Sequence, residues 1–164
     1  MISVEEYLRT SYSPDREYLD GTVVERNLGE RDHSKLQAAL VSYFFTRRKQ
    51  WRIHVYPEQR VQVSRTHFRI PDVCVVVGLE PEEQIFTKPP FLCIEILSPD
   101  DRAAAMQEKV DEYLAFGVRY VWVLNPRTQR AYIHTADGSH EAKGVLTTSD
   151  PEFSVPLAEI FEAE

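Results

Sequence analysis

The sequence has few features that would place it in a membrane or in an oxidising compartment. It contains two cysteines, Cys74 and Cys93, and each lies within an apolar, strand-like run without the C-x-x-C spacing of a zinc site. No uninterrupted apolar run approaches the roughly 20 residues that cross a bilayer, and the N-terminus has no basic segment followed by an apolar one. We therefore expect a cytoplasmic protein without membrane contact, whose cysteines are buried, reduced packing residues.

Glycine is scarce as well, and the motifs of several enzyme classes are missing. The six glycines are scattered singly, so there is no phosphate-binding Gly-rich loop and no G-x-S-x-G nucleophile elbow, and H-E-x-x-H is absent too. These absences exclude the corresponding enzyme classes, and no organic cofactor is expected. The five histidines show no paired ligand spacing. Only His33, at the start of a predicted helix, is kept in view as a site residue.

Basic residues are too few to balance the acidic ones, and the formal net charge is -7 at pH 7. A protein that coats nucleic acid non-specifically depends on Lys and Arg side chains that displace counterions, so this charge argues against such a function. It does not exclude a nuclease, because carboxylates that hold a metal contribute to the total. Basic residues are also gathered locally, at 47–49 and between Arg60 and Arg69.

The residues that are present predict one α/β or α+β domain over residues 1–164, which is long enough to bury a core without disulfides. Capping signals and helical spacing predict a helix from Ser3 to near Ser13, one from His33 to Arg48 capped by Asp32, one from after Asp100 to Gly117, and a short one at 157–161. Apolar runs predict strands at 17–19, 22–24, 52–56, 60–63, 68–77, 91–97, 118–124 and 131–135, with hairpin turns at 20–21 and 137–138. This order indicates a mixed central sheet flanked by helices.

An acidic residue stands within each of two neighbouring apolar strands, Asp72 in the run 69–77 and Glu95 in the run 91–98. A carboxylate in such surroundings is costly to bury unless it is paired, hydrogen-bonded or bound to a cation. Two acids on rigid neighbouring strands can share one divalent ion such as Mg²⁺, which prefers oxygen ligands. The alternatives are structural: an Asp after a proline often caps a turn, and a lone strand Glu often pairs with an Arg.

Lys109 lies on the predicted helix that follows the Glu95 strand, next to the apolar stripe of Met106, Val110 and Tyr113. A lysine in this position can extend over the strand ends towards a metal and orient or polarise the attacking water. The alternative is an ordinary lysine whose charged end lies in solvent. Together with the two acids, this lysine predicts a site for phosphoryl-transfer chemistry.

This combination of residues resembles the Uma-two family (domain of unknown function 820), a branch of the PD-(D/E)XK restriction-endonuclease-like superfamily. The resemblance rests on the order and spacing of segments along nearly the whole chain: Tyr18-Leu19-Asp20-Gly21, His33, Arg69-Ile70-Pro71-Asp72-Val73, Glu95-Ile96-Leu97-Ser98-Pro99, Lys109 with Tyr113, Gly117-Val118 and Tyr120-Val121-Trp122-Val123. It implies a restriction-endonuclease-like core and the hydrolysis of DNA phosphodiester bonds, dependent on Mg²⁺ with Mn²⁺ as a substitute.

The resemblance also implies roles for individual residues. Asp72 and Glu95 match the metal-binding acids of the family. The lysine that the superfamily usually carries two places after this Glu is Leu97 here, and Lys109 matches the helix lysine that replaces it. Glu17 matches an acid near the N-terminal hairpin that serves as an auxiliary metal ligand.

Two positions depart from the family pattern. Many members carry an Asp where this chain has Ala105, and an Asp-Pro pair where it has Asn125-Pro126, so roles in substrate contacts do not transfer to them. The acidic balance leaves a second hypothesis open, a non-catalytic module that recognises nucleic acid or protein on a nuclease-like fold. Because one site cuts one strand, we also expect a homodimer.

Overall fold

The computed structural model of the protein describes residues 1–26 and 30–161. Its helices are α1 (Val4–Arg9), α2 (Arg31–Thr46), α3 (Arg48–Trp51), α4 (Ala103–Phe116) and α5 (Leu157–Ile160). Its strands are β1 (Glu17–Leu19), β2 (Thr22–Val24), β3 (Ile53–Pro57), β4 (Val61–Ser64), β5 (His67–Arg69), β6 (Val73–Val77), β7 (Leu92–Ile96), β8 (Tyr120–Asn125), β9 (Arg130–Thr135), β10 (Gly138–Glu141), β11 (Val145–Thr147) and β12 (Ser154–Pro156). None of the helices within these described ranges is long and apolar enough to cross a membrane.

The largest sheet has six strands in the order β10-β9-β8-β7-β6-β3. Its neighbouring strands are antiparallel except for β7 and β8, which are parallel. Helix α4 forms the crossover that a parallel pair requires. A smaller antiparallel sheet has the order β2-β1-β5-β4, and β11 pairs with β12. The mixed sheet with flanking helices confirms the predicted α/β fold.

Alternate residues of β7 face two different layers of the core. Leu92 and Ile94 belong to the apolar cluster that contains the buried face of α2. Cys93 belongs to the second cluster, which contains Val110 and Tyr113 of α4. Because side chains alternate along a strand, Glu95 lies on the same face as Cys93. The alternation of side chains along β7 therefore places the carboxylate of Glu95 beneath α4.

Several local predictions are confirmed. Ser3 caps α1 by accepting a 3.1 Å hydrogen bond from the N–H of Glu6. The turn between β1 and β2 has positive φ angles at Asp20 (48°) and Gly21 (92°), as a type I′ turn requires. Helix α4 ends at Gly117, whose φ of 116° is left-handed. Both cysteines are buried and free.

Two local predictions are wrong. The run 68–77 was expected to form one strand, but β5 belongs to the smaller sheet and β6 to the larger one. Pro71 explains the break, because proline has no N–H to donate to a ladder, and the chain crosses between sheets there. Asp32 does not cap α2: the capping position is Glu30, without a side-chain hydrogen bond, and Asp32 lies in the first turn.

Candidate active site

Three buried carboxylates lie together where the two larger sheets approach each other. Glu17 is on β1 of the smaller sheet, Glu95 is on β7 of the larger one, and Asp72 lies in the segment between β5 and β6. Because Val73 pairs with Ile94 in the β6–β7 ladder, Asp72 and Glu95 are the next positions along the two strands. All three acids line one cleft of about 270 Å³.

The two carboxylate oxygens of Asp72 have different partners. Oδ2 accepts a 2.7 Å hydrogen bond from the backbone N–H of Ile96. Oδ1 accepts a 3.2 Å hydrogen bond from Nη2 of Arg26 and lies 3.2 Å from Nε2 of His33 in the first turn of α2. The hydrogen bond to Asp72 raises the pKa of His33, although burial opposes the charged form. His33 therefore belongs to the site.

Arg26 is a site residue that the sequence analysis missed. Its side chain is 7% exposed and bridges Asp72 and Glu58, with a 3.0 Å bond from Nη1 to the latter. Burial disfavours its charged form, but the surrounding carboxylates, with Asp72 and Glu95 foremost, together raise its pKa. Its two acidic partners lie 32 and 46 residues away in the sequence. No local pattern therefore marks this arginine.

Both oxygens of Glu95 are bound by side chains of α4. Nζ of Lys109 lies 3.1 Å from Oε1, and the hydroxyl of Tyr113 donates a 3.1 Å hydrogen bond to Oε2. These donors are four residues apart, so they share one helix face. Burial raises the pKa of Glu95 to about 7; Lys109 lowers it, while the carboxylates of Asp72 and Glu17 raise it.

Glu17 links Lys109 to a second set of charged residues, Arg69 and Glu112. Its Oε2 accepts a 2.7 Å hydrogen bond from the N–H of Ile70, and its Oε1 lies 3.3 Å from Nη1 of Arg69. Nζ of Lys109 lies 3.8 Å from the same Oε1. Arg69 also donates a 2.6 Å hydrogen bond to Glu112 on α4. Lys109 thus lies between Glu17 of the four-stranded sheet and Glu95 of the six-stranded sheet.

The sequence-predicted residues that line this cleft are Glu17, His33, Asp72, Glu95 and Lys109. The Lys109 side chain is 18% exposed, so the interpretation of a solvated lysine does not describe its position. Ala105 lines the cleft too. Asn125 lies apart from this lining, where its side chain accepts hydrogen bonds from the N–H groups of Arg127 and Thr128.

The chemistry of the donors suits a hard divalent ion, because Glu17, Asp72 and Glu95 offer oxygen ligands. Their oxygens, however, already accept hydrogen bonds or ion pairs from protein groups. Within residues 1–26 and 30–161, no three His, Cys, Asp or Glu side chains are grouped closely enough to hold a metal as they stand. Coordination of one metal by three of these side chains therefore requires that they move closer together.

Replacing Lys109 with Met keeps the length of the side chain and removes the cation between Glu95 and Glu17. We expect the metal-free variant to lose about 3–5 kcal/mol of unfolding free energy at about pH 8.5, because a buried charge is left without its partner. Without Lys109, the pKa of Glu95 in the folded protein rises further above its unfolded value, so the folded state binds a proton more readily. The loss should therefore shrink as the pH falls to about 5.5.

Chemical denaturation in the presence of a chelator measures both values. Lys143→Met is the matched control, because that lysine is 81% exposed and should change stability little at either pH. An equal loss at both pH values would contradict the placement of Lys109 against Glu95. If Lys109 were instead an exposed residue on the flank of its helix, its replacement would change stability little.

Comparison with known proteins gives the fold and the family. A solved structure from Anabaena variabilis ATCC 29413, described as a "putative nuclease belonging to DUF820", has a TM-score of 0.82 and 21% sequence identity, covering 98% of each chain. At this identity the likeness concerns the fold. No protein of curated function matches the chain. The profile of the Uma2 family, described as "Putative restriction endonuclease", matches residues 4–161. As the resemblance in the sequence predicted, the chain belongs to the Uma2 family.

Proposed function

We propose that this protein is a divalent-metal-dependent endonuclease that hydrolyses phosphodiester bonds in DNA. The observation that carries the proposal is the convergence of three buried carboxylates and Lys109 on one cleft, with Nζ 3.1 Å from Glu95. Membership of a family described as "Putative restriction endonuclease" supports the nuclease class. The fold shared with a solved structure described as a "putative nuclease" supports it as well.

In this proposal Asp72 and Glu95 hold Mg²⁺, or Mn²⁺ in its place, and Glu17 is an auxiliary ligand. A bound divalent ion neutralises charge on the scissile phosphate and lowers the pKa of its water. The protein keeps the acids in position through groups outside the reaction. The N–H of Ile96 holds Asp72, and the hydroxyl of Tyr113 holds Glu95.

Lys109 is the proposed catalytic cation. Its ammonium group lies inside the cleft and is fixed by two acids, so it needs little reorganisation before the reaction. A cation in that position stabilises negative charge that develops on the phosphate oxygens, and such preorganised charge is worth more where water is excluded. Arg69 supports Lys109 indirectly. It contacts Glu17 and also donates a hydrogen bond to Glu112, which lies on the same helix as Lys109.

Replacing Asp72 with Asn should abolish cleavage. Asn keeps the size of the side chain but removes the negative charge that a metal requires, so plasmid or branched-DNA cleavage with Mg²⁺ or Mn²⁺ should fall by more than about 100-fold. Glu82→Gln is the control, because this acid is exposed and lies outside the cleft. Circular dichroism checks that both variants fold. Cleavage by Asp72→Asn at the parental rate, or no cleavage by the parent protein, would overturn the proposal.

Metal affinity should depend on pH through Glu95. Because burial raises the pKa of this carboxyl to about 7, a proton competes with the metal below neutral pH. Mn²⁺ affinity should fall by up to about tenfold per pH unit below about pH 7 and level off above about pH 8. Calorimetry across this range measures it, and Glu95→Gln should remove the site. An affinity that is flat with pH would argue against Glu95 as a ligand.

A second candidate function is a non-catalytic module that binds nucleic acid or protein. The pairing of Asp72 with Arg26 and of Glu95 with Lys109 favours it, because the protein itself balances these charges. Calorimetry separates the two functions. A metal site that is lost in Glu95→Ala supports the nuclease, whereas the absence of any such site supports the module.

The proposal treats residues 1–164 as one domain that acts in the cytoplasm. The extent of the family match, residues 4–161, supports the single domain. It also includes a homodimer, because cleavage of both DNA strands needs two sites and two-fold dimers are the commonest oligomers. Light scattering at tens of micromolar should give twice the monomer mass, and a monomer mass would contradict the dimer.

A further inference from the structure

The carboxylate of Asp72 is held firmly on one side and loosely on the other. Oδ2 is fixed by the backbone N–H of Ile96 at 2.7 Å, and this donor cannot move without breaking β7. Oδ1 is shared by Arg26 and His33, each at 3.2 Å. An entering cation therefore exchanges with a side chain at Oδ1.

Arg26 is a partner of Oδ1 that has a second acid with which to pair. Its guanidinium has a second anchor, Glu58, which is 44% exposed while Arg26 itself is 7% exposed. Rotation away from Asp72 therefore leaves the charge paired with Glu58, a more exposed acid. Lys109, in contrast, is paired with two acids that are both buried, Glu17 and Glu95.

Arg26 lines the cleft together with the three acids, and its side chain ends in a guanidinium. Its planar set of N–H donors matches two oxygens of a phosphate, and such charge-assisted bidentate contacts are strong. The group therefore suits the phosphodiester that the proposed reaction places beside Asp72.

We propose that Arg26 is the exchangeable cation of this site: it neutralises Asp72 in the metal-free protein and contacts the substrate phosphate once a divalent ion takes its place. The inference rests on the proposed nuclease function and adds a substrate-contacting residue to it. It also makes metal and DNA bind cooperatively, because each removes Arg26 from a position that hinders the other.

Removal of Arg26 should change metal and DNA binding in opposite directions. Without DNA, Arg26→Gln should bind Mn²⁺ about tenfold more tightly, which corresponds to about 1.4 kcal/mol, because the competing cation is gone. The same variant should bind and cleave DNA less well, because the phosphate contact is lost. A residue that only supports the structure would weaken both when removed.

Calorimetry with Mn²⁺ alone provides the first measurement, on the full chain. Arg60→Gln is the matched control: this arginine is 14% exposed and ion-paired with Asp15, away from the cleft. Its Mn²⁺ affinity should equal that of the parent. Arg26→Lys serves as a second variant in case the Gln variant does not fold. A lysine cannot bridge Asp72 and Glu58 in the same way, so its Mn²⁺ affinity should lie between those of the parent and Arg26→Gln.

The second measurement is the coupling between metal and DNA. The dissociation constant of Ca²⁺, an ion with the same preference for oxygen ligands, is measured with and without a short DNA duplex whose integrity is checked on a gel. The parent should bind Ca²⁺ more tightly with the duplex, and by linkage the duplex more tightly with Ca²⁺. This coupling should shrink in Arg26→Gln.

The outcomes distinguish this inference from the proposed function. If the parent binds Mn²⁺ and cleaves DNA, but folded Arg26 variants bind Mn²⁺ no more tightly than the parent, only the role of Arg26 is overturned. If the parent binds no Mn²⁺, the proposed metal site and this inference both fail. Tighter Mn²⁺ binding together with weaker duplex binding in Arg26→Gln supports both.

Discussion

The ion pair between Lys109 and Glu95 is the interaction on which the site depends. A carboxylate beneath α4, in the same layer as Cys93 and Val121, cannot remain charged there without a cation. Lys109 supplies this cation and also lies near Glu17 of the other sheet. One ammonium group therefore allows acids from two sheets to occupy the same cleft.

Such an arrangement does not exist for stability alone. A buried ion pair is often no better for stability than a pair of well-packed apolar residues. Under the proposed function, the ion pairs in this cleft hold the acids close together until a divalent ion binds. Neutral donors hold one oxygen of each acid, the N–H of Ile96 at Asp72 and the hydroxyl of Tyr113 at Glu95. The remaining oxygens, which face Arg26, His33 and Lys109, are those that can change partners.

Much of this architecture could be predicted from the sequence, where the causes are local. Asp72 and Glu95 could be identified because acids rarely interrupt apolar strands. Gly117 marked the end of α4 because glycine readily adopts the left-handed backbone conformation that ends many helices. The break between β5 and β6 was missed because the run 68–77 is apolar on both sides of Pro71. Arg26 was missed because its partners are distant in sequence, and only the folded chain brings them together.

The alternation of side chains along β7 has a consequence for how the chain reaches its native state. If β7 were shifted by one residue against its neighbours, Glu95 would lie in the layer of α2, among Leu36, Leu40 and Phe44. No lysine of α4 would reach it, and an unpaired carboxylate would be buried in an apolar layer. Misaligned sheets are therefore penalised by the same residue that is proposed to hold the metal, so Glu95 also acts as a check on correct strand alignment during folding.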